Sequence, residues 1–367
     1  MNKLIFANHV HRPQRSNISV LAVAIEVIMI LSIVGVFMGI LDDQKERTNG
    51  IGADLMLRAS HASEMNGMGG ATIPIKNIEA IRTLPHVVAA SPVIMTTSTS
   101  GAIEILYGID YPSFDALRPF VFLSGGPFKE KYDVIIDDVL AKTKGGMHVG
   151  DTLTVMNQPF RICGIVESGK GGRKMLPIYT MGEMMGAEGK STLFYVKVDD
   201  PKNENLVIEE IHATRGLEDY PAQTMEDWNS MMTPARLPGF NIALYVVTCI
   251  AVVVGFLVIF QSMYTAVLER TREIGILKSM GASKATIVGV VLRETAVMAV
   301  AGVLVGIVGV FGVRVLLGHV FPTLHFEISG EWLVRGTLIA FVGSVCGAFY
   351  PAWMAARRDA IEALAYE

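Results

Sequence analysis

The sequence predicts an α-helical membrane protein with four transmembrane helices and a large α+β extracytoplasmic domain between helices 1 and 2. Three observations carry that prediction. Hydrophobic residues make up 51% of the 367 residues, too many for an ordinary soluble enzyme. Four stretches, 18–41, 241–265, 295–317 and 333–356, meet the need for about 20 mostly apolar residues to cross a bilayer. Between the first two lies region 42–240, which alternates strand-like and helix-like patterns and carries no further apolar run of that length.

Lys and Arg set the orientation. Lys3, Arg12 and Arg15 precede the first stretch, Arg270, Arg272, Lys278, Lys284 and Arg293 lie in the connection 266–294, and Arg357 and Arg358 follow the last stretch. The short connection 318–332 has neither Lys nor Arg and carries Glu327 and Glu331. Both termini and 266–294 are therefore expected in the cytoplasm, and 42–240 outside. The net charge of −4 hides this regional bias. The first stretch exceeds a signal-peptide core and no A-x-A-like site follows it, so it is expected to stay as an anchor.

Segment 1–17 interleaves Leu4, Ile5, Phe6 and Val10 with His9, His11, Arg12 and Arg15, the pattern of a helix lying in the cytoplasmic leaflet, with a basic disordered flank as the alternative. Residues 42–49 are polar and helix-permissive before Gly50 and Gly52, so the first helix can continue outward as a stalk. The domain then reads as strand 54–59, helix 76–84 and strand 87–97, with Pro85 between the last two. Stretches 134–141, 150–155 and 160–167 read as strands, with turns at Gly150 and at Asn157-Gln158-Pro159. A final strand–helix–strand occupies 192–198, 203–215 and 219–228. The expected architecture is a split βαβ module with a strand-rich insertion at about 126–190. Two Gly-rich runs, 62–71 and 168–174, are expected as flexible surface loops, with partner contact as the alternative. Neither fits the phosphate-binding pattern GxxxxGK[ST].

The connection 266–294 holds the most informative stretch, VLERTREIGILKSMGASKATIVGVVLRE from Val267 to Glu294. Residues 269–280 can form about three helical turns with Ile274, Leu277 and Met280 on one face and Arg270, Glu273 and Lys278 on its flanks. Gly281 suits a left-handed C-cap and Ser283 an N-cap for the next helix, whose first turns carry Lys284 and the neighbouring Arg293 and Glu294. Such a surface can seat apolar side chains in a partner's groove while charges fix the orientation; a helix lying among lipid headgroups is the alternative.

Other features weigh less. Glu26 sits inside the first span, where a lone carboxylate is expensive and is expected to face protein, water or a dimer seam. Arg314 can snorkel to the outer headgroups. Gly35, Gly39, Gly302, Gly306, Gly309, Gly312, Gly343 and Gly347 form small-residue tracks, expected for close helix packing rather than a transport path. Cys249 and Cys346 fall in the spans and Cys163 stands alone in the domain, so no disulfide framework is expected. The histidines lack metal-ligand spacing, no Ser/His/Asp constellation is legible, and no basic-aromatic patch points to nucleic acid.

The stretch from Glu269 resembles the signature of the FtsX/MacB permease superfamily, E-R-x-x-E-I-G followed by a Gly-Ala pair: Glu269, Arg270, Glu273, Ile274, Gly275, Gly281 and Ala282 fit it. The ending is also similar, through Pro351, Ala352, Ala355, Ala356, Asp359, Ala363 and Leu364, although Ala360 stands where proline is usual. VGDTLTV followed by FRICGIVES is similar to the MacB-type periplasmic core, and one span, a large domain and three spans is the type VII ABC-transporter plan. The resemblance implies a non-catalytic permease subunit in a bacterial inner membrane. Its coupling residues would be Glu269, Arg270, Arg272, Glu273, Ile274, Gly275, Leu277, Lys278, Gly281 and Ala282. It implies a separate ABC ATPase partner holding ATP and Mg, a second permease copy as a homodimer, contact with membrane lipids, and room for a periplasmic adaptor and outer-membrane channel. No cofactor is expected on the chain itself. Export by mechanotransmission is the leading expectation. FtsX-like control of cell-wall hydrolases and LolC-like lipoprotein release are the alternatives.

Overall fold

The computed structural model describes residues 13–59, 72–98, 104–143, 145–231, 233 and 240–357. Residues 1–12 of the expected interfacial segment 1–17, the Gly-rich run 62–71 and the tail beyond 357 lie outside them. Two compact units form, one within Met1–Gly39, Pro238–Val320 and Phe326–Glu367, the other within Ile40–Leu237 and Phe321–His325.

Helix α1 (Pro13–Asn49) runs on through the polar stretch after the span and stops at Gly50 and Gly52, the latter at φ 77°. The elements that follow are β1 (Leu55–Arg58), β2 (Ile73–Pro74), α2 (Ile78–Arg82), β3 (Val87–Ser98), β4 (Glu104–Ile109), α3 (Tyr111–Leu117) and β5 (Phe122–Gly125). Next come β6 (Asp133–Asp137), α4 (Asp138–Ala141), β7 (Thr152–Val155), β8 (Gln158–Val166), β9 (Lys174–Pro177) and α5 (Ile178–Met184). The domain closes with β10 (Lys190–Ser191), β11 (Leu193–Val198), α6 (Glu204–Ala213), β12 (Ala222–Thr224) and α7 (Met225–Met231).

Among the described residues these strands build a 10-stranded sheet in the order β12-β1-β11-β3-β4-β9-β6-β8-β5, with β7 paired to β8. The strand-rich insertion does not form a sheet of its own. It joins the rest through the parallel pair β4–β9, where Leu106 meets Lys174 and Ile109 meets Pro177. Hairpin β7–β8 turns at Met156 and Asn157, with φ of 49° and 62°. Two successive left-handed residues match the twist of the flanking strands, the reason such hairpins prefer them. Side chains alternate across a strand, and the core divides accordingly. Met56, Tyr107, Phe114 and Tyr195 gather in one buried cluster, and Leu55, Leu57, Phe194 and Val196 in a second.

Three expectations need correction. The strand expected over 134–141 ends at Asp137, whose carboxylate accepts the Leu140 N–H at 2.7 Å and starts α4. The strand expected over 219–228 is only β12, because Thr224 Oγ1 accepts the Asp227 N–H at 3.0 Å as α7 begins. The Gly-rich run 168–174 is packed. The Gly171 N–H donates to Arg47 O at 2.9 Å, and a Cβ on Gly172 would collide with the Tyr107 ring. Lys170 is buried, donates to Phe114 O and Arg118 O, and sits 3.7 Å from the Phe120 ring centroid. Burial pulls its ammonium down to about 8.

Arg173, at the end of that run, is the hub of a charge cluster. It meets Asp137 at 3.0 Å and Asp43 at 3.1 Å, and donates to Thr323 O at 3.1 Å. Arg47 and His325 also reach Asp43, at 3.0 and 3.1 Å. Cys163, the one cysteine of the domain, is partly buried, and burial pushes its thiol up to about 12, away from any reactive thiolate.

The membrane unit continues with α8 (Phe240–Glu269), α9 (Thr271–Ser279), α10 (Lys284–Val320) and α11 (Gly330–Arg357). Helices α1, α8, α10 and α11 are long and apolar enough to cross a bilayer. At 37 residues, α10 is roughly 55 Å long and exceeds the ~30 Å hydrocarbon layer. Glycines set the contact of α10 with α1: a Cβ on Gly302 would fall 2.6 Å from Val23 Cβ and one on Gly306 2.7 Å from Val27 Cβ. Gly312, in the same track, has open space instead. Arg314 is exposed.

Candidate functional site

The segment joining α8 to α10 is built from local signals that agree. Helix α8 ends at Glu269, the chain bends at Arg270 (φ −105°, ψ 17°), and α9 starts at Thr271. The bend costs little hydrogen bonding, since Arg270 N–H still donates to Ala266 O and Ile274 N–H to Arg270 O, at 3.2 and 3.0 Å. At the far end Gly281 adopts φ 93°, and Ala282 N–H donates to Leu277 O at 3.0 Å. That six-to-one bond across a left-handed glycine is a Schellman closure. Ser283 Oγ then accepts the Thr286 N–H at 3.2 Å and caps α10.

The inner face of α9 is Thr271 and Gly275, both buried, with Ile274 packed against a cluster of Val267, Ile287, Ala355 and Ala356. Thr271 Oγ1 donates to Leu268 O at 2.7 Å. Arg270 turns inward too. Its Nη1 meets both carboxylate oxygens of Glu294 at 3.1 Å, and the two side chains are 16% and 11% exposed. The pair pins the start of α9 to α10 and was not legible as a pair, because 24 positions separate its members.

The outer face exposes Arg272, Glu273, Ile276, Leu277, Ser279 and Met280, with Met280 71% exposed. Glu269 and Gly281 are exposed as well, while Lys278 and Ala282 are half-buried. Of the three apolar residues expected on one face, Ile274 packs into the bundle, Leu277 is partly exposed at the rim of a cavity it shares with Ile274, and Met280 points outward; Ile276 is exposed beside them. A cavity of about 200 Å³ lies between α8, α9 and α10, walled by Ala266, Ile274, Leu277 and Val290 and edged by Arg270 and Glu294. Among the described residues no cluster of His, Cys, Asp and Glu could hold a metal ion, and the segment offers a clamped, amphipathic ledge.

Glu26 is 2% exposed, and neither carboxylate oxygen has a hydrogen-bond partner among the described residues. It lies against glycines of α8 and α11: a Cβ on Gly255 would collide with its Oε2, and one on Gly343 would fall 3.6 Å from its Oε1.

Residues 16–214 match the MacB-like periplasmic core domain, and residues 245–360 match the FtsX-like permease C-terminal domain. The chain belongs to the FtsX/MacB-like family of ABC-transporter permeases. The α8–α10 segment falls within the FtsX-like part from residue 245 on, and α1 with most of the sheet within the MacB-like part. An ABC transporter permease of Methanocaldococcus jannaschii, itself uncharacterised, is 28% identical over 233 residues, 59% of this chain and 57% of that protein. The macrolide export ATP-binding/permease protein MacB of Acinetobacter baylyi is 26% identical over 333 residues, 81% of this chain and 48% of that protein. The chain thus spans about half the length of the curated relatives it matches. The periplasmic region of MacB from Actinobacillus actinomycetemcomitans aligns with 50% of this chain and 94% of that chain, at 18% identity and a TM-score of 0.37.

Proposed function

We propose that this permease is the transmembrane subunit of an ATP-driven export system of the mechanotransmission type. A separate ATPase, holding ATP and Mg, docks on α9 from the cytoplasm and moves the permease, and the MacB-like domain carries the motion to cargo outside. Among the short connections and flanks of the spans, Lys and Arg occur in 266–294 and beside the first and last spans while 318–332 has neither, which supports that orientation. Relatives named for macrolide export support the export direction. A second copy of the chain completes the assembly, and an adaptor with an outer channel is the route beyond it.

One observation carries the docking role: α9 is packed and ion-paired on its inner face and carries an exposed apolar patch on its outer one. Arg270–Glu294, Thr271 and Gly275 fix it to the bundle, so displacement of the ledge moves α8 and α10 with it. Ile276, Leu277 and Met280 remain exposed beside Arg272 and Glu273, a small hydrophobic patch with charged flanks suited to a protein groove. The test is Leu277→Asp with Met280→Asp in the native host, followed by gentle solubilisation and purification. Loss of ATP hydrolysis and of the ATPase from the purified complex, with the permease still inserted at normal level, is the expected result. Full ATPase recovery with the double variant contradicts the docking role.

A further inference from the structure

An apolar groove of about 560 Å³ runs between α8 and α11, lined by Val252, Val253, Phe256, Leu338, Val342 and Cys346 among others. Val253, Leu338 and Val342 are about half exposed along it. At its floor is Gly343, and behind that glycine stands the unpartnered carboxylate of Glu26. The missing side chain matters here. A methyl at Gly343 would occupy the gap between Val252 Cγ1 and Glu26 Oε1, 3.5 and 3.6 Å away. Gly255 opens the other side, where any Cβ would collide with the carboxylate. Glu26 is buried, and on the groove side only the side-chain-free Gly343 stands between its carboxylate and an otherwise apolar surface.

A carboxylate in such surroundings calls for a cation or strong donor. Among the described residues none is placed to supply one. Glu26 lies one residue from Val27, which packs on Gly306 of α10. The nearest cations along α10 and α11 toward the outer side are Arg314 and Arg335, each eight positions from the level of Gly306 or Gly343, about 12 Å along an axis. Arg335 is already paired with Glu331 at 2.5 Å. Helix α8 contains no Lys, Arg or His at all, and a second copy of the chain brings the same shortage at the same depth. Lipid headgroups stay at the interface, away from the middle of the spans.

We infer that the α8–α11 groove, with Glu26 behind its Gly343 floor, is a binding site for a hydrophobic amine, the apolar tail lying along Val253, Leu338 and Val342 and the ammonium reaching the Glu26 carboxylate past Gly343. The groove's size suits a single ligand of drug-like dimensions. A compact primary ammonium fits the glycine gap better than a bulky quaternary one. This site is independent of ATPase docking on α9, since it uses different residues and needs no nucleotide.

The test is equilibrium binding of radiolabelled dodecylamine to the full chain in nanodiscs of zwitterionic lipid, with empty discs subtracted. Saturable binding that dodecanol does not displace is expected. Glu26→Gln and Gly343→Ala should each weaken it by about tenfold or more, the first by removing the charge-assisted bond and the second by filling the gap in front of the acid. Gly343→Ala meets only ordinary contacts, so its thermal unfolding should match the parent and keep the test readable if Glu26→Gln misfolds. Unchanged affinity in Gly343→Ala and Glu26→Gln, displacement by dodecanol as good as by the amine, or no saturable binding to the parent protein overturns the site.

Discussion

Two arginines organise two regions of this molecule in opposite ways. Arg173 is enclosed by Asp43, Asp137 and Thr323 O, and its guanidinium bonds to all three. Arg270 pairs with Glu294, and beside that pair the surface opens into a cavity and an exposed apolar strip. The first arrangement closes a joint in the domain. The second holds a short helix in place while leaving its outer side for something else. The same residue type thus marks a finished contact in one place and a prepared one in the other, and the difference lies in what surrounds the ion pair.

The largest expected effect is at the closed joint. Arg173→Ala leaves Asp137 buried without its cation and takes one of three basic partners from half-buried Asp43, and should cost about 3–5 kcal/mol of domain stability. Denaturant unfolding of the full chain, read by hydrogen exchange in β6 and β9, measures it. A loss no greater than that of an exposed ion pair would erase the contrast between the two sites.

At the open site the effect should be smaller. A double-mutant cycle with Arg270→Met and Glu294→Met should return a coupling of about 1–2 kcal/mol, because Arg270 is held by one carboxylate where Arg173 bonds to two and a carbonyl. The double variant should be more stable than either single one, as its methionines pack without an orphaned charge. A cycle giving no coupling would mean that α9 is held by its apolar inner face alone.

Gly281→Ala sharpens the comparison further. The φ of 93° must be adopted by a residue with a Cβ, although nothing lies within 4 Å of it. The strain alone should cost about 1–2 kcal/mol and loosen the Schellman closure. Faster hydrogen exchange at Gly281 and Ala282, with no change in the MacB-like domain, is the expected signature.

The smallest effect concerns an exposed pair in the domain. His86 Nδ1 lies 2.9 Å from Asp199 Oδ2, and Asn203 Nδ2 is 2.9 Å from Asp199 Oδ1. Hydrogen bonds from Asn203 and His86 hold the Asp199 carboxyl down to about 2, and the bond to Asp199 raises the His86 imidazole. The raised imidazole contributes fully below its unfolded value, ordinarily 6.5, and loses its contribution as pH rises through the folded value. The depressed carboxyl contributes above its unfolded value, ordinarily 3.8, and loses its contribution as pH falls through about 2. The pair is therefore complete between those two ordinary values. An NMR titration of His86 should show a midpoint above the ordinary imidazole value that falls back in Asp199→Asn.

How much of this was legible before the structure follows from distance along the chain. The apolar spans and the Gly281 and Ser283 caps are local signals, and each appears where composition and turn chemistry place it. The outward continuation of α1 was equally local, being a polar helix-permissive run ended by glycines. The Arg270–Glu294 clamp spans 24 positions and Arg173–Asp43 spans 130, so neither pair has a spacing rule to reveal it. Strand β4 and helix α3 escape a reading of local pattern because each is short, 6 and 7 residues, and β4 is held by long-range pairing with β3 and β9. The Gly-rich run 168–174 misleads in the other direction. Its glycines are there for close approach to Arg47 and Tyr107, which composition alone reads as flexibility.

The most direct measurement is photo-crosslinking in the native host from a benzoyl-phenylalanine at position 280, with position 253 on the exposed side of α8 as control. ATPase docking on α9 predicts a crosslink from 280, and not from 253, to a protein that mass spectrometry identifies as carrying an ABC ATP-binding domain. Crosslinks from 280 to lipid alone, or the same ATPase captured equally from both positions, would contradict it.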